Sequence, residues 1–198
     1  MSFATIRLET NRLILTTPCS DDGDAMLGYY LRNRRNFEPW MPAREERFYT
    51  LAQMHARKAS MQEKMLEKNS QHLLLRLAGC STIIGECGFT NIIRGPFQAC
   101  YLGFSICHEF EGKGLMHEAL EGATAFVFNA LNLHRIMANY LPENHRSHRL
   151  LDRLGFEKKG CARAYLNING HWRDHMLTSL INCRCTDQRT QPSSTMNR

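Results

Sequence analysis

Residues 110–120, FEGKGLMHEAL, decide how the rest of the chain is read. Gly112 and Gly114 flank Lys113, and a helix-forming run follows with no proline or turn between. Just upstream, ACYLGFSI (99–106) has the apolar and aromatic content of a strand. The order is strand, glycine turn, helix. Glycine adopts left-handed backbone and lets a ligand approach the main chain where a Cβ would stand. Amide N–H groups gathered at a helix N-terminus favour an anion. The stretch reads as a phosphate or pyrophosphate cradle to which Lys113 adds charge. A plain tight strand–helix turn is the competing reading. A P-loop requires GxxxxGK[ST], which is missing. A Rossmann turn requires GxGxxG opening a βαβ unit, and here the preceding strands look antiparallel.

Outward from the turn, the apolar face Leu115, Met116, Ala119, Leu120, Ala123 and Val127 predicts a helix over about 113–131. HLLLRLA (72–78), TIIGECGFTNI (82–92) and ACYLGFSI predict three strands, joined by GCS and RGPFQ as an antiparallel meander. Towards the N-terminus, a strand over 7–16 is interrupted at Asn11 and Arg12. A helix then starts in SDDGDAMLGYYLRNR with capping oxygens from Ser20, Asp21 and Asp22. EPWMPA stops it, and a second helix covers 50–68. Towards the C-terminus, RIMANYL is a strand and ENHRSHRLLDRLG is a short helix closed by Gly155. Asn169–Gly170 turns a final hairpin. Residues 1–182 read as one domain, and 183–198, CRCTDQRTQPSSTMNR, as a disordered polar tail.

The 198 residues are 43% hydrophobic and 22% charged, the composition of a globular protein able to bury a core. The formal net charge of +6 favours an acidic partner without deciding which. No apolar run reaches the ~20 residues of a membrane span, and MSFATIRLET lacks a signal peptide's apolar stretch, so a cytoplasmic protein is expected. Most of the eight cysteines sit in apolar or small-residue segments and read as buried thiols. No CxxC pair exists, and no histidine pair has a third ligand at metal spacing, so no metal is assigned.

With this context, EGKGLM (111–116) resembles the acyl-CoA-binding motif Q/R-x-x-G-x-G/A of the GNAT acetyltransferases. It matches at Gly114 and the associated Gly112. It departs at Glu111, where Gln or Arg is usual, and at Met116, where Gly or Ala is usual. TNRLIL, HRIMANYLPENHRSHRLLDRLGFEKKG and YLNINGHWRDHMLTSL extend the resemblance over about residues 5–181, towards the RimJ-like ribosomal-protein alanine N-acetyltransferases. The resemblance implies an α+β fold with a mixed, V-splayed seven-stranded sheet and about four helices. It implies acetyl-CoA as cosubstrate and the N-terminal alanine of a small-subunit ribosomal protein as acceptor, free or in an assembling small ribosomal subunit.

By motif position, the resemblance implies that Ser105 and Ile106 meet the pantetheine through their backbone. Gly112, Lys113, Gly114, Leu115 and Met116 surround the pyrophosphate, and Asn144 meets the CoA arm. Ser147 is the general acid, because the position of the family's tyrosine falls on Leu151. The family's usual glutamate position falls on Tyr101, which leaves Glu86 on the neighbouring strand as the candidate base; a solvent-facing strand carboxylate is its other reading. The chemistry asks little of a base. Keeping an α-amine neutral near pH 7 costs about 3 kcal/mol less than keeping a lysine neutral. LRNRRNF (31–37) groups Arg32, Arg34 and Arg35 as a candidate docking patch for a ribosomal or rRNA-rich assembly, or as cations complementing their own helix end. The alternative functions are an acetyltransferase for a small amine, which requires an acidic acceptor pocket, and a non-catalytic regulator holding CoA or nucleic acid.

Overall fold

The computed structural model describes residues 6–183; the expected polar tail lies, from residue 184 on, outside the described residues. The chain runs β1 (Arg7–Glu9), β2 (Leu13–Thr16), α1 (Gly23–Phe37), α2 (Leu51–Leu66), β3 (Gln71–Leu77), β4 (Ile83–Ile93), β5 (Ala99–Ile106), α3 (Leu115–Ala130), β6 (Arg135–Tyr140), α4 (His145–Arg153), β7 (Glu157–Ile168) and β8 (His171–Ile181). The strands form one mixed sheet in the order β1-β2-β3-β4-β5-β6-β8-β7.

The sheet has eight strands where seven were expected, because Asn11 and Arg12 turn the chain instead of merely interrupting a strand. The Thr10 N–H reaches the Leu13 carbonyl at 2.9 Å, and Arg7 pairs back on Thr16. The meander is present: β2, β3, β4 and β5 pair antiparallel in sequence order. Asn169 and Gly170 take φ of 55° and 79°, the positive pair that a two-residue hairpin turn demands. Gly155 closes α4 at φ 81°. Asp22 does not cap α1 through its N2 or N3 amides; its carboxylate accepts from the Cys19 N–H at 2.7 Å and pairs with Arg76.

Two apolar layers sandwich the sheet. On one face Leu13, Leu73, Phe89, Leu102 and Ile136 pack with Leu115, Ala119 and Val127 of α3. On the other, Met26, Tyr29 and Tyr30 of α1 and Met54 and Met61 of α2 pack on Leu74 and Ile83. Burying a side chain of this size contributes about 1.5–3 kcal/mol. Cys87, Cys100 and Cys107 lie in these layers, whereas Cys19, Cys80, Cys161 and Cys183 are exposed, so thiol burial is narrower than the sequence segments implied. No helix among the described residues is long and apolar enough to cross a membrane.

The pair β5–β6 is parallel, so the chain crosses over between them through α3. The two strands pair only at Ala99–Arg135, Cys100–Ile136 and Tyr101–Met137. Beyond these pairs β5 runs on to Ile106 beside β4 and β6 to Tyr140 beside β8, no longer paired with each other. The sheet opens into a V at that point, and the crossover begins α3 at its mouth.

Candidate active site

The glycine turn has the backbone that its sequence demanded. Gly112 and Gly114 take φ of 72° and 75°, where an L side chain costs roughly 1–2 kcal/mol. Gly114 precedes α3 and offers no side-chain cap. The Glu111 N–H is used on the His108 carbonyl, and the next main-chain donor with an acceptor is Glu118, on the Gly114 carbonyl. Among the described residues nothing accepts from the amides of Gly112, Lys113, Gly114, Leu115 and Met116. Glycines 112 and 114, with Leu115 and Met116, line one wall of a cleft of about 390 Å³.

Neighbouring charges brace this turn. The Glu118 carboxylate accepts from the Thr10 hydroxyl at 2.6 Å and from the Arg12 main-chain N–H and Nε at 2.8 and 2.7 Å. Arg12 Nη1 in turn donates to the Lys113 carbonyl at 3.0 Å. Burial opposes the Glu118 charge, but the Thr10 and Arg12 hydrogen bonds outweigh it and hold the carboxyl below its ordinary range. The β1–β2 turn thus fixes the glycine turn from outside. Glu111 is paired with Arg146 of α4, and His108 Nδ1 stands 3.3 Å away. A carboxylate beside an anion cradle is therefore neutralised locally.

The opposite wall is α4. Asn144 caps it, its Oδ1 accepting from the Ser147 N–H at 3.0 Å. That bond fixes the first turn and sets Ser147 on the cleft. Arg149 and Arg153 line the same side, and with Arg146 they give the cleft a cationic rim. The sequence reading missed these arginines, although their spacing from one another, i, i+3 and i+7, places them along one helix face. Leu151, at the tyrosine position of relatives, is buried in the core.

The floor is the splayed end of β5. Ser105 pairs in register with Glu86, and the Cys107 N–H bonds the Ile84 carbonyl at 2.7 Å. Antiparallel alternation then turns the Ser105 main chain towards β4 and the N–H and C=O of Phe104 and Ile106 into the V. The Ser105 main chain is thus committed to the ladder, and its side chain is spent on the Tyr29 hydroxyl at 2.8 Å. Phe104, Ser105 and Ile106 all line the cleft, and of the three it is Phe104 and Ile106 whose main-chain groups turn into the V.

Beyond the V lies a second cavity of about 200 Å³, sharing Met41, Phe104 and Ser105 with the cleft. Glu86 lines it. It does not face open solvent: its side chain is 15% exposed and accepts from the Tyr30 hydroxyl at 2.5 Å and Arg57 Nη2 at 3.4 Å. Burial, then the Glu86 charge, raises the Tyr30 phenol well above its ordinary range, so it remains a donor. Burial opposes the Arg57 charge, but Tyr30 and Glu86 more than offset it. Neither Tyr30 nor Arg57 was singled out in the sequence; both reach Glu86 from helices distant in the chain.

The roof is the segment after α1, where Phe37 and Trp40 form a wall of the cleft. Trp172 is 65% exposed on the β7–β8 hairpin. Asn169 at the hairpin tip accepts from the Ala43 N–H, closing the roof to the hairpin. Of the arginines in LRNRRNF, Arg34 is paired with Glu46 and Glu38, and Arg32 donates to the Ile83 carbonyl at 3.3 Å. Arg35 is exposed.

Residues 12–157 match the acetyltransferase (GNAT) domain. The chain is 43% identical over 175 residues to the [ribosomal protein uS5]-alanine N-acetyltransferase of Escherichia coli K12, covering 88% of this chain and 90% of that protein. Among solved structures, the ribosomal-protein-S5-alanine acetyltransferase of Vibrio fischeri superposes with a TM-score of 0.85 at 36% identity, covering 90% of this chain and 97% of that one. Mycobacterium smegmatis RimJ in complex with CoA-disulfide has the same fold, with a TM-score of 0.82 at 22% identity over 94% of this chain and 89% of that one. The free amides at the mouth of a splayed sheet and the match over nearly the whole length agree: the chain belongs to the GNAT acetyltransferases.

Proposed function

We propose that this protein acetylates the N-terminal alanine of a small-subunit ribosomal protein, with acetyl-CoA as acetyl donor. The observation that carries the donor half is the row of unpaired amides from Gly112 to Met116, opening on a cleft with a cationic rim. The acceptor half is supported by the likeness to uS5-alanine acetyltransferases.

The residues fit a long, polyanionic thioester. The Gly112–Met116 amides and Lys113 would hold the pyrophosphate, with Arg149 and Arg153 at hand for the remaining phosphate charge. Phe104 and Ile106 offer main-chain hydrogen bonds to the pantetheine, as a strand would. Asn144 fixes the start of α4 beside that arm. Acetyl-CoA supplies an activated acetyl thioester. The Ser147 hydroxyl, on the cleft wall, would give a proton to the departing sulfur. A free β5 amide in the V polarises the carbonyl, and such preorganised donors contribute more than the base does. Glu86, held by Tyr30 and Arg57, would receive the amine proton directly or through water. Its side chain enters from the acceptor cavity, on the other side of β5 from the phosphate cradle.

A small polycationic amine is the less suitable acceptor, because Arg44 and Arg57 line the acceptor cavity. Incubation with acetyl-CoA and a peptide beginning with alanine should add one acetyl group by mass. An N-formyl cap on the peptide should abolish the gain. Acetylation of spermidine in preference to the peptide would reverse the acceptor assignment, and no transfer to either would leave a CoA-binding regulator.

A further inference from the structure

We propose that the groove between α2 and the end of the β3–β4 pair, beside the acceptor cavity, binds a carboxylate side chain of the acceptor polypeptide downstream of its acetylated end. This rests on the proposed peptide acceptor and adds what the enzyme reads in its sequence.

The groove is large, about 920 Å³, and shares Arg44, Arg57, His72 and Thr90 with the acceptor cavity. A chain whose amine reaches Glu86 therefore has a continuous path into it. Its charge is one-sided. Arg44, Arg57 and Lys64 line it, against one carboxylate, Glu67, which accepts from the Asn69 amide at 2.9 Å. Glu86, in the adjoining cavity, uses only part of the Arg57 guanidinium.

Two polar atoms in this wall are buried without partners: Arg57 Nε and Ser70 Oγ, on a serine 4% exposed. Leaving such groups unpaired costs about 1–3 kcal/mol each, more for a charged one. A carboxylate accepts from guanidinium and hydroxyl donors alike, and both residues line this groove. His72, which lines the same groove, registers the same field. Burial, then Arg57 and Lys64, push its imidazole down to about 4, so it stays neutral and leaves the cationic character to Arg57 and Lys64. The far lip, Ile92 and Ile93, is apolar and suits the side chains flanking an acidic residue.

The test is a set of alanine-initiated peptides in which one Glu is moved through positions two to six, each matched by a Gln peptide. At one or two positions the Glu peptide should show a KM about tenfold lower than its Gln partner, with kcat unchanged. Lys64→Glu should erase that difference by raising KM for the Glu peptide alone. Histidine NMR should show the His72 pKa rising when the favoured peptide binds, because a carboxylate offsets Arg57 and Lys64. Equal KM for Glu and Gln peptides at every position would overturn the inference while leaving alanine acetylation standing. So would Lys64→Glu weakening both alike. Inhibition by a short RNA that Lys64→Glu relieves, with no Glu–Gln difference, would reassign the groove to nucleic acid. Failure to acetylate any alanine peptide would remove the acceptor reading and this inference together.

Discussion

At the scale of single residues, the site depends on side chains whose neighbours fix their roles. Ser147 lines the cleft in the first turn of α4, next to the Asn144 cap. Ser147→Ala should lower kcat by about 10²-fold with little change in the KM for acetyl-CoA; an unchanged kcat under steady-state assay would remove the general-acid role. His72 gives a stability prediction. Its pKa of about 4 in the fold lies below the ordinary 6.5. Between those values the unfolded chain holds more protons, so stability rises with pH across that window. Falling from pH 6.5 to pH 4 should cost up to about 3 kcal/mol from this group. Urea unfolding of His72→Gln should show a correspondingly shallower loss than the parent over the same window.

At the scale of elements, the glycine turn and the β4–β5 pairing divide the labour. The turn requires positive φ at Gly112, where a Cβ would meet no atom within 4 Å, so the free protein has room for one. Gly112→Ala should therefore cost folding only about 1–2 kcal/mol of backbone strain. Calorimetry should nonetheless show CoA affinity reduced at least tenfold, because the methyl stands where a phosphate approaches. Gly85 in β4 is different: its Cβ would lie 2.8 Å from the Ser105 carbonyl oxygen, an atom of the ladder that cannot turn aside. Gly85→Ala should destabilise by about 1–3 kcal/mol in urea unfolding. It should also disturb the strand that carries Phe104 and Ile106 into the V.

At the scale of the whole molecule, the acceptor route lies between parts that meet only through tertiary contact. Asn169 of the hairpin holds the Ala43 main chain, joining the last strands to the roof after α1. Asn169→Gly keeps the turn, since glycine tolerates the same positive φ, and removes that bond. The KM for an alanine peptide should rise about threefold to tenfold, the worth of one hydrogen bond, while the KM for acetyl-CoA stays put. A parallel rise in both would place the contact in general folding instead.

The sequence alone determined what is local and periodic. Glycines before an apolar helix, the meander strands and the Asn169–Gly170 turn all follow from backbone preferences within a few residues. For that reason the strand, glycine turn and helix that line the cleft could be located from the chain. Tertiary structure decided what depends on register and on distant approach. Main-chain alternation, set by the pairing of β5 with β4, put Phe104 rather than Ser105 in the V. Arg57 and Tyr30 converge on Glu86 from separate helices, Arg146 neutralises Glu111 across the cleft, and Arg34 is consumed by Glu46. A single-residue slip of register would exchange the two faces of β5, and no local preference encodes which charges meet; only the packed chain fixes both.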